Sequence, residues 1–140
     1  MKRLIILYIG LLLFVFLSST IACGPQSDEA QIESLINRAL VATARTDWHA
    51  VYNMTTPEFR QSMTFKEYES YINSHMNWLV QDYIQTISRC RKLEASNVMV
   101  DIDGVNADAS YDITCDGMTL EDNYETFRKV GGRWFIEWEP

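Results

Sequence analysis

The stretch VMVDIDGVNADASYDIT, residues 98–114, decides the architecture of the chain. Val98, Val100 and Ile102 fall on one side of a period-two pattern and Met99 and Asp101 on the other, the mark of a half-buried strand. Asp103-Gly104 supplies a two-residue hairpin signal. Beyond it Val105, Ala107, Ala109, Tyr111 and Ile113 alternate with Asn106, Asp108, Ser110, Asp112 and Thr114. With Asp103-Gly104 as the loop, Val100 faces Ala107 and Val98 faces Ala109, so turn and burial pattern specify one antiparallel register.

Toward the C-terminus, a further strand is expected over roughly Asp122 to Val130. Gly131-Gly132 then closes a second tight hairpin into Arg133 to Glu137, with Trp134, Ile136 and Trp138 sharing one face and Phe135 opposite. Toward the N-terminus the period lengthens to that of helices. Ile32, Leu35, Ile36, Ala39 and Leu40 recur at helical spacing behind an Asp28/Gln31 capping box, which predicts a helix to about Arg45. Thr46 or Asp47 caps a short helix closing near Met54, and Thr56-Pro57-Glu58 starts another. Thr64 and Glu67 form a second capping box, and Phe65, Tyr68, Ile72, Met76 and Leu79 stripe the helix that follows, to about Gln81. Helices grouped before an antiparallel sheet make an α+β fold.

The 140 residues carry 12 basic and 19 acidic side chains, a formal charge of −7. The first 22 read differently from the rest. Lys2 and Arg3 form a basic start, Leu4 to Phe16 is apolar apart from Gly10, and Leu17 to Ala22 turns small and hydroxylated before Cys23. This is the layout of an export signal. The rival reading is a permanent membrane helix over residues 4–22, close to the roughly 20 residues that span a bilayer. The remaining 118 residues suffice for one modest core and keep ten basic against nineteen acidic groups. A surface at −9 opposes nucleic acid and anionic headgroups.

Ile21-Ala22-Cys23, preceded by Thr20, resembles the lipobox of a bacterial lipoprotein. Thr20 departs from the family's usual aliphatic residue, and Thr20 and Ala22 also suit an ordinary signal peptidase. The resemblance implies that residues 1–22 are a signal peptide, that Cys23 is lipidated, and that residues 23–27 are a tether. The protein would then be anchored on the extracytoplasmic face of a bacterial cell membrane. From residue 28 to 140 the succession of elements is similar to the nuclear transport factor 2-like superfamily, which includes ketosteroid isomerase-like and SnoaL-like proteins. The resemblance rests on a long first helix, the short helices of DWHAVYNMTTPEFRQSMTFKEYESYI (residues 47–72), a curved meander and the VGGRWFIEWE hairpin (residues 130–139). It implies a cone-shaped fold whose helices and curved sheet enclose a cavity that some members use for catalysis, some for binding, and some fill.

No enzyme signature is present, and no catalytic residue or cofactor is assigned. His49 and His75 stand in different helices without an acid or cysteine at ligand spacing, so no metal site is expected, and His75 is read as a partly buried core residue. Asp101 to Asn106 places its glycine too early for a calcium loop. Asn53-Met54-Thr55 fits a glycosylation acceptor that a bacterial lipoprotein would not ordinarily use. Tyr52, Tyr111, Trp134 and Trp138 are the candidate pocket residues, set against the competing reading that they form the core.

The expected function is a non-catalytic binding or interaction module, taking a small apolar ligand or a protein partner, with membrane contact through the lipid anchor. The alternative is a small extracytoplasmic enzyme of the ketosteroid isomerase or SnoaL-like kind. A titratable group deep in an apolar pocket would favour the enzyme, and a filled or wholly apolar interior the module. A homodimer through the exposed sheet face, with Phe135 in the contact, is a third reading.

With Cys23 taken by lipid, Cys90 and Cys115 are left to pair in an oxidising compartment. The hairpin register sets Cys115 opposite Lys92, and a bulge in the Arg89 to Ser96 stretch would bring Cys90 across. Two separate buried thiols are the competing reading.

Overall fold

The computed structural model describes residues 26–75 and 78–138, so the signal segment, Cys23 and Met76 lie outside the described residues. Among the described residues five helices, α1 (Asp28–Ala44), α2 (Trp48–Asn53), α3 (Pro57–Ser62), α4 (Phe65–His75) and α5 (Trp78–Ser88), precede four strands. These are β1 (Leu93–Asp103), β2 (Asn106–Cys115), β3 (Met118–Val130) and β4 (Arg133–Ile136), paired in chain order as one antiparallel sheet. The fold is α+β, as the sequence predicts. Among the described residues no helix is long and apolar enough to cross a membrane.

Local chemistry sets the helix ends. Asp47 Oδ1 accepts from the Ala50 amide at 3.0 Å, and Thr56 Oγ1 from Phe59 at 3.2 Å with Pro57 in the first helical position. The Thr64/Glu67 box is reciprocal: the Thr64 amide donates to Glu67 Oε2 at 2.8 Å, and the Glu67 amide to Thr64 Oγ1 at 3.3 Å. At α1 the cap lies one residue earlier than expected. Ser27 Oγ accepts from Ala30, which frees the Asp28 carboxylate to pair with Lys129 Nζ at 2.7 Å.

The sheet corrects the expected register. Asp103 pairs with Asn106, Ile102 with Ala107 and Val100 with Ala109, so the loop is Gly104-Val105 rather than Asp103-Gly104. Gly104, at φ 63°, takes the first loop position, where a type II′ turn needs a positive φ. The slip is two residues, which keeps every apolar side chain on its face, except that Val105 leaves the strand and is exposed. Asp116-Gly117, both at positive φ, makes a further hairpin that starts β3 four residues before the expected Asp122. The helix striping does not end at Gln81: α5 runs on to Ser88 and buries Ile84 and Ile87.

Cys90 and Cys115 form a disulfide with Cα atoms 5.4 Å apart. Cys115 pairs with Leu93, and the chain leaving α5 carries Cys90 alongside. The bulge falls between Ser96 and Met99, beyond the stretch where it was expected. Asn97 occupies it at φ 51° and donates from Nδ2 to Asp112 Oδ2 at 2.7 Å, a conformation asparagine tolerates.

The core lies between α1 and the inner face of the sheet. Ile32, Leu35, Ile36 and Leu40 meet Ala107, Ala109, Ile113 and Phe127. A second cluster joins Tyr52, Phe59 and Tyr68, packed by Phe65, Ile72 and Trp138. The two are tied where the α2–α3 connection runs beside β4: Thr56 donates to the Ile136 carbonyl at 3.1 Å, and Ile136 to that of Met54 at 2.9 Å.

Candidate functional site

The inner face of β3 departs from the apolar pattern around it. Phe127 pairs with Ile136, which fixes it inward, and the period-two pleat then turns Glu125, Asn123 and Glu121 the same way. Their cross-strand partners Ala109, Tyr111 and Ile113 are buried. Three polar side chains therefore enter the space between sheet and helices.

That space is a cavity of about 210 Å³, open at one side. Its floor is Tyr111, Ile113, Asn123 and Glu125, with Glu121 at the exposed rim. Ile36, Ala39, Leu40 and Thr43 of α1 form one wall, and Val51, Tyr68, Tyr83 and Trp138 close the other sides. Ile36, Leu40 and Ile113, which line the cavity, also belong to the core cluster between α1 and the sheet.

The electrostatics are one-signed. Burial pushes the Glu125 carboxyl up from 4.5 to about 6, and no nearby cation offsets that cost. Burial raises the Tyr68 hydroxyl to about 12, with the Glu125 charge adding to it. Burial raises Tyr111 as well, and both Glu125 and Glu121 push it the same way. Tyr83 is raised by burial and by the adjacent Glu121, which stands exposed at the rim. Among the described residues, neither lysine, arginine nor histidine lines the cavity. The tyrosines remain neutral O–H donors at any physiological pH, and the carboxylates supply the charge.

Of the four residues singled out from the sequence, Tyr111 and Trp138 line this cavity and Tyr52 and Trp134 do not. Tyr52 is buried in the second cluster, where its hydroxyl donates to the Met63 carbonyl at 2.7 Å. Trp134 is buried beside Lys129, whose ammonium lies 5.6 Å from the ring centroid. The Lys129 ammonium donates to the Asp28 carboxylate and holds it below the usual range, with the neighbouring Trp134 indole N–H acting in the same direction. Trp138 lines the cavity beside Ile136, as their shared parity implies, and the Glu137 amide between them still donates to the Thr126 carbonyl at 2.9 Å. The strand ends at Ile136, and Trp138 turns to Phe59, Tyr68 and Tyr71 at 5.2–5.3 Å between ring centroids.

His75 is exposed rather than part of the core, stacked on Tyr71 at 4.0 Å. His49 meets the edge of Phe65 at 4.9 Å. Phe135, on the outer face, is covered by Arg60 and Arg133 at 5.5 and 5.7 Å. Among the described residues, no three acid, cysteine or histidine side chains stand together as a metal site.

Sequence reasoning missed Glu121, Asn123 and Glu125 because β3 is polar on both faces, so alternation alone cannot orient it. The signal was in the last hairpin: fixing Ile136 inward across Gly131-Gly132 fixes Phe127, and Glu125 follows by parity. No family model matches the chain, and no curated protein matches it.

Proposed function

We propose that the chain is a lipid-anchored, extracytoplasmic binding module with a nuclear transport factor 2-like domain, whose cup between helices and sheet takes a small ligand. One observation carries the reading: the polar inner face of β3 opens into a cavity that the surrounding apolar side chains leave unfilled. A purely structural interior would place apolar residues there, since a buried carboxylate without a partner is costly. The order of helices before a curved antiparallel sheet supports the fold assignment. The Cys90–Cys115 bridge supports an oxidising compartment, and Ile21-Ala22-Cys23 supports the anchor.

Glu125 is the titratable pocket group expected of an enzyme, and it favours a second reading, a proton-transfer enzyme of the ketosteroid isomerase kind. A carboxyl at about 6 is suited to general-base work near neutral pH. Such chemistry also needs an oxyanion site made by an acid pair. Tyr111 and Tyr68 supply hydroxyls, yet both side chains lie beside ionised carboxylates that would oppose a developing oxyanion. Binding is therefore the better-supported function.

The test is a small-molecule screen read by thermal midpoint on the wild type and on Thr43→Phe and Ala39→Phe, which fill the cup from α1. Compounds that raise the midpoint of the wild type and not of the filled variants support the binding module. Compounds that stabilise all three equally, or none that stabilise the wild type, contradict it. Turnover of a carbonyl substrate that Glu125→Ala abolishes would replace binding with catalysis.

A further inference from the structure

We propose that the ligand of the cup is a small organic cation, an amine or quaternary ammonium group, held over the tyrosine and tryptophan rings and against Glu125 and Glu121. The inference rests on the reading of the cup as a ligand site and names the class of ligand that site recognises.

The argument begins with charge. Glu125 lies half-buried on the cavity floor, and Glu121 stands at the rim four residues away on the same strand face. Among the described residues neither Lys, Arg nor His contributes to the lining, and no cation near Glu125 lowers its carboxyl. Elsewhere on the sheet, partly shielded carboxylates have a cation beside them: Asp28 has Lys129 at 2.7 Å, and Glu137 has Arg128 at 2.5 Å on the outer face. Glu125 has no such counterpart. An incoming cation would supply it and would be worth most where water is thin.

The walls point the same way. Tyr68, Tyr83, Tyr111 and Trp138 present aromatic rings around the two carboxylates. Such rings attract cations through their negative faces, and tryptophan and tyrosine attract them best. An anionic ligand would meet two carboxylates and no donor cation. A neutral apolar ligand would leave Glu125 desolvated and unpaired, which costs binding energy. The volume of about 210 Å³ falls below the roughly 300–1,000 Å³ of drug-sized sites, so the cation is a small one.

The probes are choline and benzyltrimethylammonium, each against its uncharged carbon isostere, 3,3-dimethylbutan-1-ol and neopentylbenzene. Titration calorimetry on the full-length protein in maltoside detergent measures each Kd. We expect at least one cation to bind at least tenfold more tightly than its isostere. Glu125→Gln should weaken that cation about tenfold, and Glu125→Asp, which keeps the charge, should weaken it less. A thermal midpoint for each variant shows that it is folded, and Glu121→Gln provides a second charge deletion at the exposed rim. The titratable groups that share the cavity with Glu125 are Tyr68 from α4, Tyr83 from α5, Tyr111 from β2 and Glu121 from β3. The tyrosines do not ionise between pH 5 and 7.5, so cation affinity should rise over that range and stay nearly flat in Glu125→Gln. Cation and isostere binding equally would overturn the inference and leave the cup as a ligand site. Failure of both cations to bind would overturn it too, and the screen with filled variants then decides separately whether the cup binds anything.

Discussion

Replacing Cys90 and Cys115 together by serine removes the tie between the end of α5 and the β1–β2 hairpin. The bridge closes 25 residues of sequence separation, comprising β1, its turn and nearly all of β2. In the folded state that segment is already held by antiparallel pairing from Leu93↔Cys115 to Asp103↔Asn106 and by Asn37 Oδ1 accepting from the Ala95 amide at 2.9 Å. The native structure should therefore survive the substitution, and the loss should fall on the unfolded state, which regains the freedom of the open loop. Chain entropy for a loop of this size is worth about 3.5 kcal/mol at 25 °C. Urea unfolding followed by tryptophan fluorescence measures it, with the wild type also run after reduction. We expect the double variant and the reduced wild type to lose about 3.5 kcal/mol each, with a larger urea slope because the unfolded chain expands. Equal stability of oxidised and reduced wild type, with an unchanged slope, would refute the reasoning.

Three further predictions follow from the same structure. Glu125→Gln should stabilise the protein by about 2 kcal/mol at pH 7.5 and leave it nearly unchanged at pH 4 by urea unfolding. Moving a carboxyl from 4.5 to about 6 penalises the ionised folded state by that amount, a penalty that appears as pH rises through this interval and is absent below it. Phe127→Ala removes the largest fully buried side chain and should cost about 4 kcal/mol in the same assay, so a loss under 1 kcal/mol would mean the core is not seated on β3 as described. Cys23→Ala should leave the protein unprocessed or released from membranes in fractionation, and equal incorporation of labelled fatty acid by both forms would end the lipoprotein reading.

What the sequence made legible follows from which signals are local. Thr56 and the Thr64/Glu67 box cap helices with side chains three residues from their partners and were readable from spacing alone, whereas spacing left Thr46 and Asp47 both open for the cap that Asp47 makes. Strand parity was equally readable in 98–114, because burial on one face fixes it whatever the loop. The loop itself was not: Asp103-Gly104 and Gly104-Val105 both use Gly104, and a slip of two residues leaves the inward set opposite itself. Helix α5 was present as Tyr83, Ile84 and Ile87, but its period was overshadowed by the alternation that follows. Trp138 was placed with Ile136 by parity and both line the cup, although the strand itself stops at Ile136. The cup was least legible. Glu125 reads as an ordinary surface acid until the register of a distant hairpin turns it inward.

The most direct test is the Glu125 carboxyl itself, titrated by carbon-13 NMR in protein labelled at glutamate, with Glu125→Gln identifying the resonance. The account predicts a single titration near 6 in the ligand-free protein, as burial without a counter-charge requires. A value at or below 4.5 would show that the carboxylate already has water or a partner to hold its charge, and the cup would then lack the unpaired acid on which the binding function rests.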